Sequence, residues 1–309
     1  MVFVYIENKK FLSKIITYLE NANVLFTTDF NNDYDIVLVA EINKRTMKLV
    51  KNSYLLKKKV IFISHLEENK IISNYDLHNK YSIEYRSTLY NFLNMCDLII
   101  VSLPYFKTLL NKKIKRNIIV IERELEPINL KVDSNIYVRY NLSKRKKKVL
   151  YLDSKYEYLS EFFQIALANP KIEFIMLGFI PDYYLSEHKK HLLMNIPSNV
   201  KSIKYYNDSS LIELLKVISS VIYVDKVVDI NLIYKILFLK KNLIVKENKI
   251  FDHHLIDNKN IYLFDKNNLV KKVCKLLDGS IANLTLDGYD LVKNNKLNDI
   301  IIKINNISL

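Results

Sequence analysis

One pattern constrains this chain more than any other. A short run of β-branched and aliphatic residues is followed by a longer amphipathic stretch, and the pair repeats along nearly the whole sequence. The runs are almost continuously apolar rather than alternating, which is how strands read when helices cover both faces of a parallel sheet. In the first half the strands fall at Val2–Ile6, Val24–Thr28, Asp35–Ala40, Lys59–His65, Asp97–Ser102 and Asn117–Glu122. Apolar residues recur at three- and four-residue spacing between them, predicting helices over Lys10–Asn21, Asn43–Lys58, Tyr81–Cys96 and Pro104–Ile114.

The rhythm stops at 123–146, a stretch with one proline, mixed charge and no sustained period, where the sequence predicts an interdomain crossing. It then restarts. Strands are expected at Val149–Leu152, Glu173–Leu177, Ser202–Tyr206, Val221–Asp225, Leu243–Lys246 and Ile261–Phe264. Helices are expected over Tyr156–Asn169, Asp182–Asn195, Ser209–Ser219, Asn231–Lys241 and Asn268–Leu277, with a closing helix over Asp287–Ile304. The fold class is therefore α/β. Two Rossmann-like domains, 1–122 and 147–280, are expected to face each other across a cleft, with 281–309 forming a C-terminal helix.

A chain of 309 residues suits two such cores, and 50% hydrophobic residues can fill them. The net charge is +14, and Lys144 to Lys148 supply five consecutive cations at the junction. Such a run can meet phosphate, anionic lipid or nucleic acid, or can be a solvated connector. No nucleic acid is expected as a partner: there is no recognition module, and aromatics do not interleave with the lysines. Cys96 and Cys274 share no metal-type spacing and read as reduced, buried thiols. No window approaches the ~20 apolar residues of a membrane span, and the N-terminus lacks a signal-peptide pattern. A cytoplasmic protein is expected, peripheral on the inner face of the membrane if it meets one.

Specific strings add a resemblance. TTDFNNDYDIVLV, KKKVIFISHLEENKIISN and MCDLIIVSLPYFKTLLNKKIKRNIIVI look like the N-terminal domain of family-4 (group 1) retaining GT-B glycosyltransferases. The likeness is to bacterial diacylglycerol glucosyltransferases. ALANPKIEFIMLGF, VKSIKYYNDSSLIELLKVISSVIYV and LKKNLIVKENKIFDHHLIDNKNIYLFDKNNLVKKV continue it in order through the second half.

That resemblance implies a nucleotide-sugar donor, held by fixed cations and backbone N–H groups aimed at the diphosphate. Four elements normally provide the site. A glycine-rich loop after the first strand is missing, since VFVYIENKK runs straight into KFLSKIITYLE. The Arg and Lys that grip the diphosphate fall on Tyr156 and Glu157, with Lys155 able to substitute after a one-residue slip. The glutamate pair E-x7-E falls on Val227 and Lys235, neither of which accepts a hydroxyl hydrogen bond; Asp225 and Asp229 lie close without restoring the pair. Only a strand-end histidine, His65, is retained. His253 and His254 read as surface or helix-start residues, and Gly178 as a tight turn.

The site therefore reads as degenerate, with no catalytic residue, metal or cofactor expected. Should a donor such as a UDP-sugar bind, His65, Lys155, Tyr156, Asp229 and Lys235 are its candidate contacts. Three functional classes follow. The first is a non-catalytic homologue that supports a catalytic glycosyltransferase or presents an acceptor, through a face carrying Tyr81, Tyr85 and Tyr90. The second is an active retaining hexosyltransferase acting on a lipid or polysaccharide. It would dock on anionic membrane through the basic stretch 43–59, with Lys44, Arg45, Lys48, Lys51, Lys57, Lys58 and Lys59. The third, a nucleic-acid binder, lacks supporting features.

Overall fold

The structure, a computed structural model, describes residues 1–68, 70–71, 80–121, 128, 130–177, 185–203, 207–225, 228–248, 251, 255–265 and 267–292. The chain divides into two compact units, and their described parts lie within 1–121 and 128–292.

The first unit holds six strands: β1 (Val2–Tyr5), β2 (Phe26–Thr27), β3 (Ile36–Val39), β4 (Lys59–Ile63), β5 (Leu98–Val101) and β6 (Asn117–Val120). They pair in the order β2-β1-β3-β4-β5-β6, every pair parallel. The second unit holds β7 (Lys148–Leu152), β8 (Glu173–Leu177), β9 (Val200–Ile203), β10 (Ser220–Tyr223), β11 (Asn242–Lys246) and β12 (Tyr262–Phe264). Their order is β12-β11-β10-β7-β8-β9, also all parallel. Counted within the unit, that is the Rossmann order read from its far edge.

Unbroken apolar runs explain why these strands are central. Val37 and Leu38, Ile61 and Phe62, and Ile99 and Ile100 are neighbours on opposite faces of the first sheet, and all are fully buried. Leu150 and Tyr151, and Val221 and Ile222, do the same in the second. The Tyr151 ring stacks on Phe162 of the helix Leu159–Ala168 with centroids 4.1 Å apart. Burying each such side chain contributes about 1.5–3 kcal/mol. Glycine is scarce, yet Gly288 is required for packing. A Cβ there would stand 2.8 Å from Leu237 Cδ2 and 3.1 Å from the Asn260 carbonyl oxygen.

Helix boundaries follow caps more closely than periodicity. Asn43 caps Lys44–Leu55 through the Arg45 and Thr46 amides, and the helix ends because Lys57 takes φ 53°. Asn207 caps Asp208–Val217, Ser186 caps Glu187–Met194, and Asp229 caps Ile230–Phe238. Several expected elements are therefore shortened. The strand expected over Val24–Thr28 starts at Phe26, because Asn23 turns through φ 54° and the Val24 amide bonds back to the Leu19 carbonyl. The strand expected over Ser202–Tyr206 is Val200–Ile203, paired residue by residue with β8, and 204–206 lie outside the described residues. The helix expected from Tyr156 begins at Leu159, since Tyr156 itself has φ 52°. Within 123–146 a five-residue helix, Asn135–Arg139, interrupts the expected featureless crossing. The closing helix is described over Thr285–Val292, and 293–309 lie outside the described residues.

Candidate functional site

In an open parallel sheet the loops at the carboxyl ends diverge where the strand order reverses, and that crevice is where ligands bind. The loop after the first switch strand presents free backbone N–H groups at a helix start, which suits it to phosphate. Each unit has one such point: β1 beside β3 in the first, β7 beside β10 in the second.

In the second unit Leu152 pairs with Tyr223 at the ends of β7 and β10. Two residues beyond each lie Ser154 and Asp225, and the Ser154 amide donates to Asp225 Oδ1 at 2.6 Å. The rest of the loop is organised by Asp153, which is buried. Its Oδ1 accepts from the Lys155 amide at 3.0 Å, and its Oδ2 accepts from the Tyr158 amide at 3.1 Å and from the Tyr151 hydroxyl. Three amides of this loop, those of Ser154, Lys155 and Tyr158, are thus already bound to carboxylates of the same chain. Burial and then the Asp153 charge push the Tyr151 hydroxyl pKa well above the usual phenol value.

Beside this loop lies a cavity of about 280 Å³, lined by Glu157, Asp225, Lys246, Glu247 and Asn248. Three carboxylates face one ammonium, and that ammonium is engaged: Lys246 Nζ lies 3.3 Å from Glu157 Oε2 and 5.1 Å from the centre of the Tyr158 ring. Burial opposes the Lys246 charge, but Tyr158 and Glu157 outweigh it, so its pKa rises. Among the described lining residues, carboxylates outnumber cations.

The first unit repeats the device. Tyr5 pairs with Val39 at the ends of β1 and β3. Two residues beyond each lie Glu7 and Glu41. Glu41 Oε2 accepts from the Glu7 amide at 3.1 Å, and its Oε1 accepts from the Asn8 amide at 2.8 Å. Asn8 Oδ1 then caps the helix Lys9–Asn21 through the Phe11 amide at 3.0 Å. Further along the same sheet edge, buried Glu67 accepts from the Ile42 amide, and buried Glu68 accepts from the Ser64 hydroxyl and from the Ser102 amide and hydroxyl.

The residues singled out by sequence have the following places. His65 stands in a 3-10 turn, Ser64–Leu66, directly after β4, and is buried. Its Nε2 donates to the Ile121 carbonyl at 3.0 Å, which ties the ends of β4 and β6 together. This contact helps to hold the fold together. Lys155, Tyr156 and Glu157 do come together at the switch point of the second unit. Tyr156 is turned inward and buried, and burial followed by Asp153 raises its pKa. Asp229 is spent on the Asn231 and Leu232 amides at 2.9 and 3.3 Å as a helix cap. Lys235 is a half-buried residue in the last turn of that helix. Val227, Gly178, His253 and His254 lie outside the described residues. Tyr81 is exposed, whereas Tyr85 and Tyr90 are half-buried. Cys96 is buried and Cys274 only half-buried, both as free thiols.

Sequence reasoning missed Glu41, Asp153 and Lys246. A carboxylate two residues past an apolar run was visible at both Glu41 and Asp225, but its partner amide depends on strand order. Among the described residues no group of three or more His, Cys, Asp or Glu is placed to hold a metal, and no helix is long and apolar enough to cross a membrane.

No family model and no curated protein matches the sequence. Solved structures match the fold. HepE from Anabaena, in complex with UDP, superposes with a TM-score of 0.65 at 14% identity, over 96% of this chain and 90% of that one. Sucrose-phosphate synthase from Thermosynechococcus elongatus superposes with a TM-score of 0.60 at 14% identity, over 97% of this chain and 76% of that one. The glycosylation associate protein complex Gap123 from Streptococcus agalactiae gives 0.53 at 14% identity, over 95% of this chain and 54% of that one. With two successive all-parallel sheets of Rossmann type, this chain has the GT-B glycosyltransferase fold.

Proposed function

We propose that this chain is a glycosyltransferase-fold protein that no longer grips a nucleotide-sugar donor, and that it serves glycan or glycolipid synthesis as a non-catalytic partner or acceptor-presenting subunit. One observation carries the reading. At the switch point of the second unit, Asp225 and Asp153 occupy the Ser154, Lys155 and Tyr158 amides, and the described lining of the adjoining cavity sets three carboxylates against one paired lysine. A diphosphate there would meet like charge. At about 5 Å and an effective dielectric near 20, each such pair costs about 3 kcal/mol. Glu157, which stands where the resemblance expects a lysine, holds Lys246, the one cation among the cavity's described lining residues. Gap123, of similar fold, is by its name associated with glycosylation, which suits an accessory role.

The competing reading is an active hexosyltransferase using a UDP-sugar. HepE, a neighbour in fold, is solved with UDP-glucose, and Lys246 could turn from Glu157 toward a phosphate. Isothermal titration calorimetry of the full chain against UDP, UDP-glucose and GDP separates the two. The accessory reading expects no heat of binding at millimolar nucleotide and no release of UDP from UDP-glucose. Saturable binding of any of them with a micromolar Kd sinks it.

A further inference from the structure

One concavity of the first unit lies away from the switch point, at the amino ends of the strands. It measures about 730 Å³ and is lined by Met1, Asn23 to Leu25, Asp33 to Ile36 and Leu56 to Lys59. Its lips are apolar and uncovered: Leu25 is 78% exposed and Leu56 66%. Leu55 and Tyr54 beside them are 67% and 49% exposed. Large apolar side chains gathered at one groove form the kind of exposed patch that marks an interaction site.

The charge around the groove is net positive. The Met1 amine, Lys57, Lys58 and Lys59 line it or stand beside it, against Asp33 and Asp35. Both acids are engaged, Asp35 by the Met1 amine at 2.8 Å and Asp33 by Lys58 at 3.7 Å. The helix Lys44–Leu55 extends the field. Lys44, Lys48, Lys51 and Leu55 recur at four- and three-residue spacing, so they form one stripe opposite buried Thr46, Leu49, Val50 and Ser53. All four stripe residues are exposed, and Lys44, Lys48 and Lys51 make no ion pair among the described residues.

We propose that this groove docks an acidic segment of a partner polypeptide, with leucine-like side chains set between Leu25 and Leu56 and carboxylates along Lys48, Lys51 and Lys57. The proposal rests on the accessory reading above and supplies its partner surface. A second copy of this chain, at +14, carries the same sign of charge and is a poor occupant. A bilayer is flat, and it covers protruding apolar tips rather than filling a concavity.

The probe is a fluorescein-labelled peptide of repeated Glu-Leu-Leu-Glu, titrated with the full chain and followed by fluorescence anisotropy. The control peptide is repeated Lys-Leu-Leu-Lys, and vesicles of three parts phosphatidylcholine to one part phosphatidylglycerol are sedimented in parallel. The acidic peptide is expected to bind with a micromolar Kd that weakens with salt, and the basic one not to bind. Leu25→Asp with Leu56→Asp, and separately Lys48→Glu with Lys51→Glu, should each weaken it at least about tenfold. All four positions are exposed, so the fold is retained, and circular dichroism verifies it. Absence of peptide binding, equal binding of the two peptides, or indifference to both double variants overturns the proposal. So does vesicle binding that the same variants abolish without any peptide binding, which assigns the face to lipid. Nucleotide calorimetry reads out separately: UDP binding with an intact groove titration refutes the accessory reading alone, and a flat titration without UDP binding refutes the groove alone.

Discussion

Asp153 offers the sharpest test of the claim that carboxylates, rather than a ligand, satisfy the switch-point loop. Its side chain accepts from two amides and from the Tyr151 hydroxyl, and Tyr151 is fully buried against Phe162. Replacing Asp153 with alanine removes all three hydrogen bonds. Lys155 is exposed, so its amide recovers a water and contributes little to the loss. Tyr158 and Tyr151 are buried, and an orphaned buried donor costs about 1–3 kcal/mol. Asp153→Ala should therefore destabilise the second unit by about 2–5 kcal/mol. Asp153→Asn keeps one acceptor oxygen, so it should lose about half as much. With no tryptophan in the chain, urea unfolding is followed by tyrosine fluorescence and far-ultraviolet circular dichroism. Two units need not unfold together, so the change is read from the transition that the substitution moves. A loss below about 1 kcal/mol for alanine, or equal losses for alanine and asparagine, would show that the carboxylate does not hold this loop.

Other outcomes follow from the same contacts. Glu157→Lys combined with Asp225→Asn removes two carboxylates and adds a cation at the cavity, so weak UDP binding, with a Kd near the millimolar range, should become measurable by calorimetry where the parent shows none. Gly288→Ala forces a methyl against Leu237 and the Asn260 carbonyl, which should cost about 1–3 kcal/mol in thermal unfolding; an unchanged Tm would show that the helix Thr285–Val292 is free to shift. His65→Ala should lower stability by about 1–3 kcal/mol through the lost Ile121 bond while leaving nucleotide titrations flat. Stability should fall as pH climbs above about 10, where unfolded phenols ionise. Burial raises the pKa of Tyr151, Tyr156 and Tyr262, so the unfolded chain releases those protons first and the folded form loses ground. Lys148 and Lys241, whose pKa values burial lowers, act the other way only below their usual 10.5. A flat urea midpoint between pH 9 and 11 would contradict this.

The sequence by itself determined the two α/β units and nearly every strand, because a strand buried on both faces must be apolar throughout. Ile36–Val39, Leu98–Val101 and Ser220–Tyr223 carry that constraint within their own few residues. The resemblance also set the expectation that Tyr156 and Glu157 stand where gripping cations would, since that concerns residue types at particular positions. What the sequence left undetermined were relations between distant residues. Helix starts moved because side-chain caps such as Asp229 and Asn207 compete with periodicity, and Tyr156 left its helix because Asp153 folds the loop back on itself. Asp225 bonds to Ser154, and Glu41 to Glu7 and Asn8, only because strand order sets β10 beside β7 and β3 beside β1. Residues 71 and 34 positions apart become neighbours through sheet topology, and no local period encodes that. The same holds for the groove between Leu25 and Leu56: each reads as an ordinary apolar residue in sequence, and tertiary packing alone leaves both in water.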